Sequence, residues 1–145
     1  MAGNLQKFFE PKSVVVVGAS SVPRKPGNDV IRNILANGYS GKLYLVNPKG
    51  GEIMGIKAYP SIQDLPEGID QAIIIVPASA NPQAVRECAA KGIKAIVLAA
   101  GGFSEVDEKG AELQKELIKA VRETGVRVIG PNTSGHTSTP HNFTS

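Results

Sequence analysis

The sequence predicts an α/β domain, a doubly wound parallel sheet of about five strands with helices on both faces. Three observations carry that prediction. Short apolar runs recur through the chain and are continuous instead of alternating, as strands covered on both faces require. Segments whose apolar residues follow a helical period separate them. Glycine, proline or asparagine punctuates the junctions, which suits short connections between parallel strands and crossover helices.

The first strand is Val14–Val17, ended by Gly18. Pro26-Gly27-Asn28-Asp29 opens a helix, with proline where its missing N–H is harmless and Asp29 near the positive end of the dipole. Val30, Ile31, Ile34 and Leu35 share one face of it, and Asn37-Gly38 stops it. Leu43–Val46 is the second strand, closed by Asn47-Pro48. Tyr59-Pro60-Ser61 caps one short helical turn before Leu65-Pro66. Ala72–Val76 is the third strand, stopped by Pro77, and a helix from about Pro82 to Lys91 ends at Gly92. Ala95–Ala100 forms the fourth and runs into Gly101-Gly102-Phe103. Ser104 or Asp107 caps the next helix, whose stripe is Leu113, Leu117, Ile118 and Val121. Gly125 ends it, and Val126–Ile129 is the fifth strand. Residues 1–130 thus read as a single domain. Residues 131–145, PNTSGHTSTPHNFTS, have no apolar period and read as a polar loop or linker tail leading to a second domain.

The chain has 145 residues, 41% of them hydrophobic, enough for one core. A single cysteine, Cys88, excludes an internal disulfide framework and a cysteine-based zinc site, and its place in a helix beside Ala89 makes it a core residue. No apolar run approaches the roughly 20 residues of a membrane span, and the first ten residues lack a signal-peptide core, so the expected compartment is the cytoplasm. Residues 1–60 hold eight Lys and Arg against three Asp and Glu, while residues 61–145 hold eight against ten. The basic half suits a polyanionic small ligand. Nucleic acid is not the expected partner, because the seven aromatic residues do not alternate with cations as a base-stacking platform would.

In a doubly wound sheet, ligands lie at the carboxyl ends of the strands. After the first strand, Gly18 permits a tight turn. Ser20 and Ser21 offer hydroxyls, the helix start offers partial positive charge, and Arg24 and Lys25 offer full charges. Residue types alone do not say which of the two cations faces a ligand. A dinucleotide fold for NAD places an acid after the second strand, for the ribose 2′-hydroxyl. Here Asn47-Pro48-Lys49 stands instead, which fits a ribose that carries its own phosphate, in NADP or coenzyme A. Val76, Pro77 and Ala78 offer apolar cover at the third strand's end. Gly101-Gly102 leaves space for a thin ligand at the fourth, and Gly130-Pro131-Asn132 turns sharply at the fifth. The glycines do not follow G-x-G-x-x-G, and no P-loop or G-x-S-x-G elbow occurs. His136 and His141 lack a partner at metal-ligand spacing and read as solvated. Glu105, Asp107 and Glu108 suit a helix start, and no catalytic pair stands out.

Five stretches together, FFEPKSVVVVGASSVPRKPGNDVIRNI, GKLYLVNPKGGEIMGIKAYPSIQDLP, AIIIVPA, GGFSE and RVIGPNTSG, resemble the N-terminal CoA-binding domain of NDP-forming acyl-CoA synthetases. That family includes ADP-forming acetate–CoA ligases and is related to the succinyl-CoA synthetase alpha subunit. The resemblance implies a Rossmann-like domain with CoA across its strand ends. It carries over Gly18, Ser20, Ser21, Arg24 and Lys25 as the phosphate loop and Lys49 as a phosphate-binding cation. Val76, Pro77 and Ala78 follow as contacts along the ligand, with Asn47 and Pro48 beside Lys49. Such ligases convert an acid, a nucleoside triphosphate and CoA into acyl-CoA, nucleoside diphosphate and phosphate. The histidine that carries the phosphoryl group and the ATP-grasp domain that binds nucleotide belong to other domains or subunits, the implied partners. By itself the chain is expected to bind CoA and catalyse nothing. Relatives commonly have a cysteine after the GPN turn, where Thr133-Ser134 stands here. A stand-alone CoA-binding protein and an NADP-dependent oxidoreductase domain are the rival expectations, the latter weakened by the absent glycine fingerprint.

Overall fold

Four consecutive valines cannot be shielded by one layer, so the strand that carries them needs cover on both sides. In the computed structural model, which describes residues 2–145, Val15 and Val17 enter one core layer and Val14 and Val16 the other. In chain order the strands of the main sheet are β1 (Ser13–Val17), β2 (Lys42–Val46), β3 (Glu52–Ile53), β4 (Ile56–Tyr59), β5 (Gln71–Ile74), β6 (Ala95–Leu98) and β7 (Arg127–Ile129). They lie in the order β3-β4-β2-β1-β5-β6-β7. All pairs are parallel except β3 with β4. Strand order reverses between β1 and β5, which makes their carboxyl ends the switch point of the sheet.

The five expected strands are all present, and the third and fourth end earlier than expected, at Ile74 and Leu98. The sheet nevertheless has seven strands, not five. The two additions form a hairpin whose two-residue turn, Met54-Gly55, has φ of 51° and 79°. Positive φ at both positions matches the twist of a tight hairpin. Strands this short show no readable period, which is why the sequence reading passed over them.

Helix α1 (Ala2–Phe9) was not anticipated. It buries Phe8 in the same layer as α2 (Pro26–Ala36). On the other face, α3 (Asn81–Ala90) packs against α4 (Glu108–Thr124). Two stripe residues are displaced outward, Leu35 at 44% and Ile118 at 42% exposure. Ala120, outside the expected stripe, is fully buried. Asp107 caps α4 through the Gly110 N–H at 2.7 Å, and Gly125 ends it in the left-handed conformation.

The stretch 131–145, expected as a loop or linker tail, folds back. β8 (Thr137–Ser138) and β9 (Phe143–Thr144) form a small antiparallel hairpin. Phe143 is 1% exposed within the α2 layer, against Tyr39 at 5.3 Å between ring centroids. One buried aromatic ring holds a segment whose composition is otherwise that of a loop. His136 is likewise not a solvated residue. Its Nε2 hydrogen-bonds Phe8 O, its Nδ1 meets Ser145 Oγ at 3.0 Å, and Phe9 stands edge-on to it at 5.5 Å. His141 is exposed and lies 3.6 Å from Glu10.

Candidate functional site

The β1–α2 loop sits directly at the switch point. Gly18 takes φ of 96°, and a side chain there would strike the Ile75 carbonyl. The Gly18 and Ala19 N–H groups both donate to Val46 O at 3.1 Å, tying the loop to the end of β2. Ser20 Oγ accepts from the Val22 N–H at 3.1 Å, and buried Asn28 donates from Nδ2 to Ser20 O at 2.9 Å. The Lys25 N–H closes the turn on Val22 O at 3.3 Å. Arg24 occupies that turn with φ of 66°, and Lys25, extended, is the N-cap of α2. The side chains of Ser21, Arg24 and Lys25 are exposed, so the cations stand free to meet an anion at the helix start.

Beyond β2, Lys49 and Pro48 are exposed on a turn that closes with the Gly50 N–H donating to Asn47 O at 2.8 Å. Asn47 differs from its neighbours. Its carboxamide is engaged inside the protein, Nδ2 donating to Ala19 O at 2.8 Å and Oδ1 accepting from the Lys49 N–H at 2.8 Å.

Between these two loops opens a cleft of about 290 Å³, lined by Gly18, Val46, Pro48, Val76 and, from the far wall, Pro60, Ser61 and Gln83. Val76 and Ala78 are half-buried and Pro77 is exposed. Their loop is pinned by Asn81, whose Nδ2 donates to Val76 O at 3.1 Å and Pro77 O at 3.0 Å. Asn81 Oδ1 is buried without a partner among the described residues. A larger cavity of about 520 Å³, lined by Lys12, Tyr39 and Lys42 among others, opens at the amino ends of the strands. It is remote from the loops at the switch point.

The loops after β6 and β7 are joined to each other at the same edge of the sheet. Asn132, with φ of 55°, donates its N–H to Ala100 O at 2.9 Å. Glu105 departs from expectation: it does not serve the helix start. Its Oε1 accepts from the Gly102 N–H at 2.5 Å and the Phe103 N–H at 3.0 Å, and these bonds hold the carboxyl below the usual carboxylate range. Cys88 is fully buried in the α3–α4 layer, and burial, with Glu87 nearby, pushes its thiol up to about 12. Among the described residues, no group of three His, Cys, Asp or Glu is placed to hold a metal, and no helix is long and apolar enough to cross a membrane.

Of the expected site residues, Gly18, Pro48 and Val76 line this cleft, while Ser20, Ser21, Arg24, Lys25, Asn47, Lys49, Pro77 and Ala78 stand outside its lining on the same loops. Sequence reasoning missed Asn28 and Asn81, which pin two of the loops, and the Ser61 and Gln83 wall. An asparagine in the first turn of a helix is the signal for the first two; the wall has none.

The CoA binding domain family matches residues 12–138. The chain belongs to that family. Among curated proteins, this CoA-binding domain is 46% identical to the acetate–CoA ligase [ADP-forming] II of Archaeoglobus fulgidus, over 97% of its own length. It spans only 21% of that relative. Among solved structures, the dinucleotide-forming acetyl-coenzyme A synthetase 1 of Ca. Korarchaeum cryptofilum, in complex with phosphate and ADP, matches with a TM-score of 0.90 at 38% identity. That match covers 97% of this chain and 30% of the other. A conserved hypothetical protein from Pyrococcus furiosus matches with a TM-score of 0.63 at 32% identity, covering 80% of this chain and 90% of the other. The recognised resemblance and the Rossmann-like architecture are thus those of the family.

Proposed function

We propose that this domain binds coenzyme A as a substrate across the carboxyl ends of β1, β2 and β5, within an NDP-forming acid–CoA ligase. The observation that carries the reading is the pairing of two cationic loops with one apolar cleft. In this reading the pyrophosphate meets Ser20, Ser21 and the helix start, with Arg24 and Lys25 supplying charge. The adenine enters the cleft between Pro48 and Val76, and Lys49 meets the ribose 3′-phosphate. The pantetheine arm follows Val76, Pro77 and Ala78 toward Gly101-Gly102 and Asn132.

The complete reaction joins an acid to CoA with conversion of a nucleoside triphosphate to its diphosphate and phosphate. The phosphohistidine and ATP-grasp parts of such a ligase are the partners of this domain, and its setting is the cytoplasm. The domain supplies binding and orientation of CoA and no proton-transfer or nucleophilic group. The Pyrococcus furiosus protein, nearly all of which this domain covers, favours a second reading in which a CoA-binding domain works alone.

Calorimetric titration with CoA, dephospho-CoA, NAD and NADP tests the assignment. CoA is expected to bind best, and dephospho-CoA to lose roughly 1–3 kcal/mol, the scale of a hydrogen bond to a charged group. NADP binding without CoA binding would overturn it.

A further inference from the structure

Asn47 lies between the two cationic loops, and each of its polar groups already serves the chain. Its carboxamide bridges Ala19 O and the Lys49 N–H, both at 2.8 Å. Its backbone N–H donates to Tyr59 O at 3.0 Å, and its carbonyl accepts from the Gly50 N–H at 2.8 Å. One planar group therefore sets the spacing between the loop that opens α2 and the turn that carries Lys49. Lysine has a flexible stem and no fork of fixed donors. The point from which that stem departs is what a neighbouring group can fix, and the bond from Lys49 N to Asn47 Oδ1 folds residues 47–49 into a tight side-chain-closed turn.

We propose that Asn47 is a positioning residue that confers selectivity for ligands with a second, ribose-borne phosphate. It touches no ligand. It holds the Lys49 turn at a set distance from the Ala19–Ser20 loop, so that a diphosphate and a ribose phosphate of one molecule meet their cations together. Asn28, which grips the next carbonyl, Ser20 O, holds the same loop from the α2 side. The two asparagines differ in consequence: Asn28 shapes one phosphate site, whereas Asn47 couples two. The inference rests on the CoA reading above and adds the origin of its discrimination.

The test compares CoA with dephospho-CoA on the wild-type chain and on Asn47→Ala, Asn47→Gln and Asn47→Ser, with thermal unfolding followed in parallel. The wild-type ratio of affinities is expected near tenfold, on the scale of one charge-assisted hydrogen bond. In Asn47→Ala and Asn47→Gln the ratio is expected to fall to about unity, beyond any loss that both ligands share. Asn47→Ser, whose hydroxyl can still accept from the N–H two residues on but is too short to hold Ala19 O as well, is expected to lower it too. A purely structural asparagine would weaken both ligands alike. A folded Asn47→Ala, Asn47→Gln or Asn47→Ser that keeps the wild-type ratio overturns the inference. A wild-type chain that binds neither ligand overturns the CoA reading instead.

Discussion

Gly27 stands so close to the Gly18 carbonyl that its α-carbon has no room for a methyl group. The start of α2 and the end of β1 meet there backbone to backbone, nine positions apart in the chain. Close glycine packing is therefore present although the glycines do not follow G-x-G-x-x-G. Gly27→Ala is expected to lower the stability by roughly 1–3 kcal/mol in urea unfolding, as an overpacked site does, and to weaken CoA binding. Gly38→Ala is the control. Its φ is 73° but open space surrounds it, so only the backbone cost of about 1 kcal/mol applies, with binding unchanged. Unchanged binding in Gly27→Ala would dissociate the close approach from the ligand site.

Arg24 holds a φ of 66°, at a turn position where glycine is usual, after Pro23. Arg24→Gly removes a left-handed penalty of about 1–2 kcal/mol and adds glycine's entropic cost of about 0.5–1 kcal/mol. The variant is expected to unfold at a slightly higher urea concentration while binding CoA less tightly. A lower midpoint would show that the arginine side chain stabilises the loop by itself.

Glu105 has a lowered folded-state carboxyl pKa, through the Phe103 N–H, its own N–H and the Gly102 N–H. Its contribution to stability is present above the unfolded carboxyl value of about 4.3 and is lost as pH falls through the lower folded value. Glu105→Gln is therefore expected to melt below wild type near neutral pH, with the gap narrowing in acid. A gap that stays constant with pH would remove the charge from the explanation.

Cys88 combines full burial with a thiol pKa of about 12. Reactivity follows the thiolate fraction and access. Iodoacetamide is expected to leave the native chain unmodified at mildly alkaline pH and to label it promptly in denaturant. Rapid labelling of the native protein would contradict the packing of α3.

Phe143 anchors the C-terminal hairpin from within the α2 layer. Phe143→Ala is expected to cost about 3 kcal/mol, the usual scale for truncating a buried phenylalanine. Deletion of residues 131–145 should cost at least as much. A stable truncated chain would return that segment to the status of a linker.

The legible parts of the sequence were those governed by burial on two faces. Val14–Val17 and Ala95–Leu98 could be read because a strand covered on both sides shows a near-continuous apolar run. The β3–β4 hairpin could not, since Glu52–Ile53 and Ile56–Tyr59 are each too short to show a period. The tail was misread because a lone Phe143 and a hydrogen-bonded His136 among serines and threonines carry no repeating signal. At the site, residue type identified the cations and the small residues of the loops. It also put Asn47 among the ligand contacts, and only hydrogen bonds to Ala19 and Lys49 reveal that its side chain works inside the protein.

The hydrogen bond from His136 to Phe8 O joins residues 128 positions apart. The layer that contains α1 and α2 is completed by a segment synthesised well after both helices. A growing chain can assemble β1, β2 and β5 early, yet it exposes the apolar side of Phe8 until residues near 143 have been made. Such long-range closure slows folding and raises the demand for protection of the nascent chain. The cost of closing the N-terminal layer with the C-terminal hairpin thus falls on synthesis, before any ligand is met.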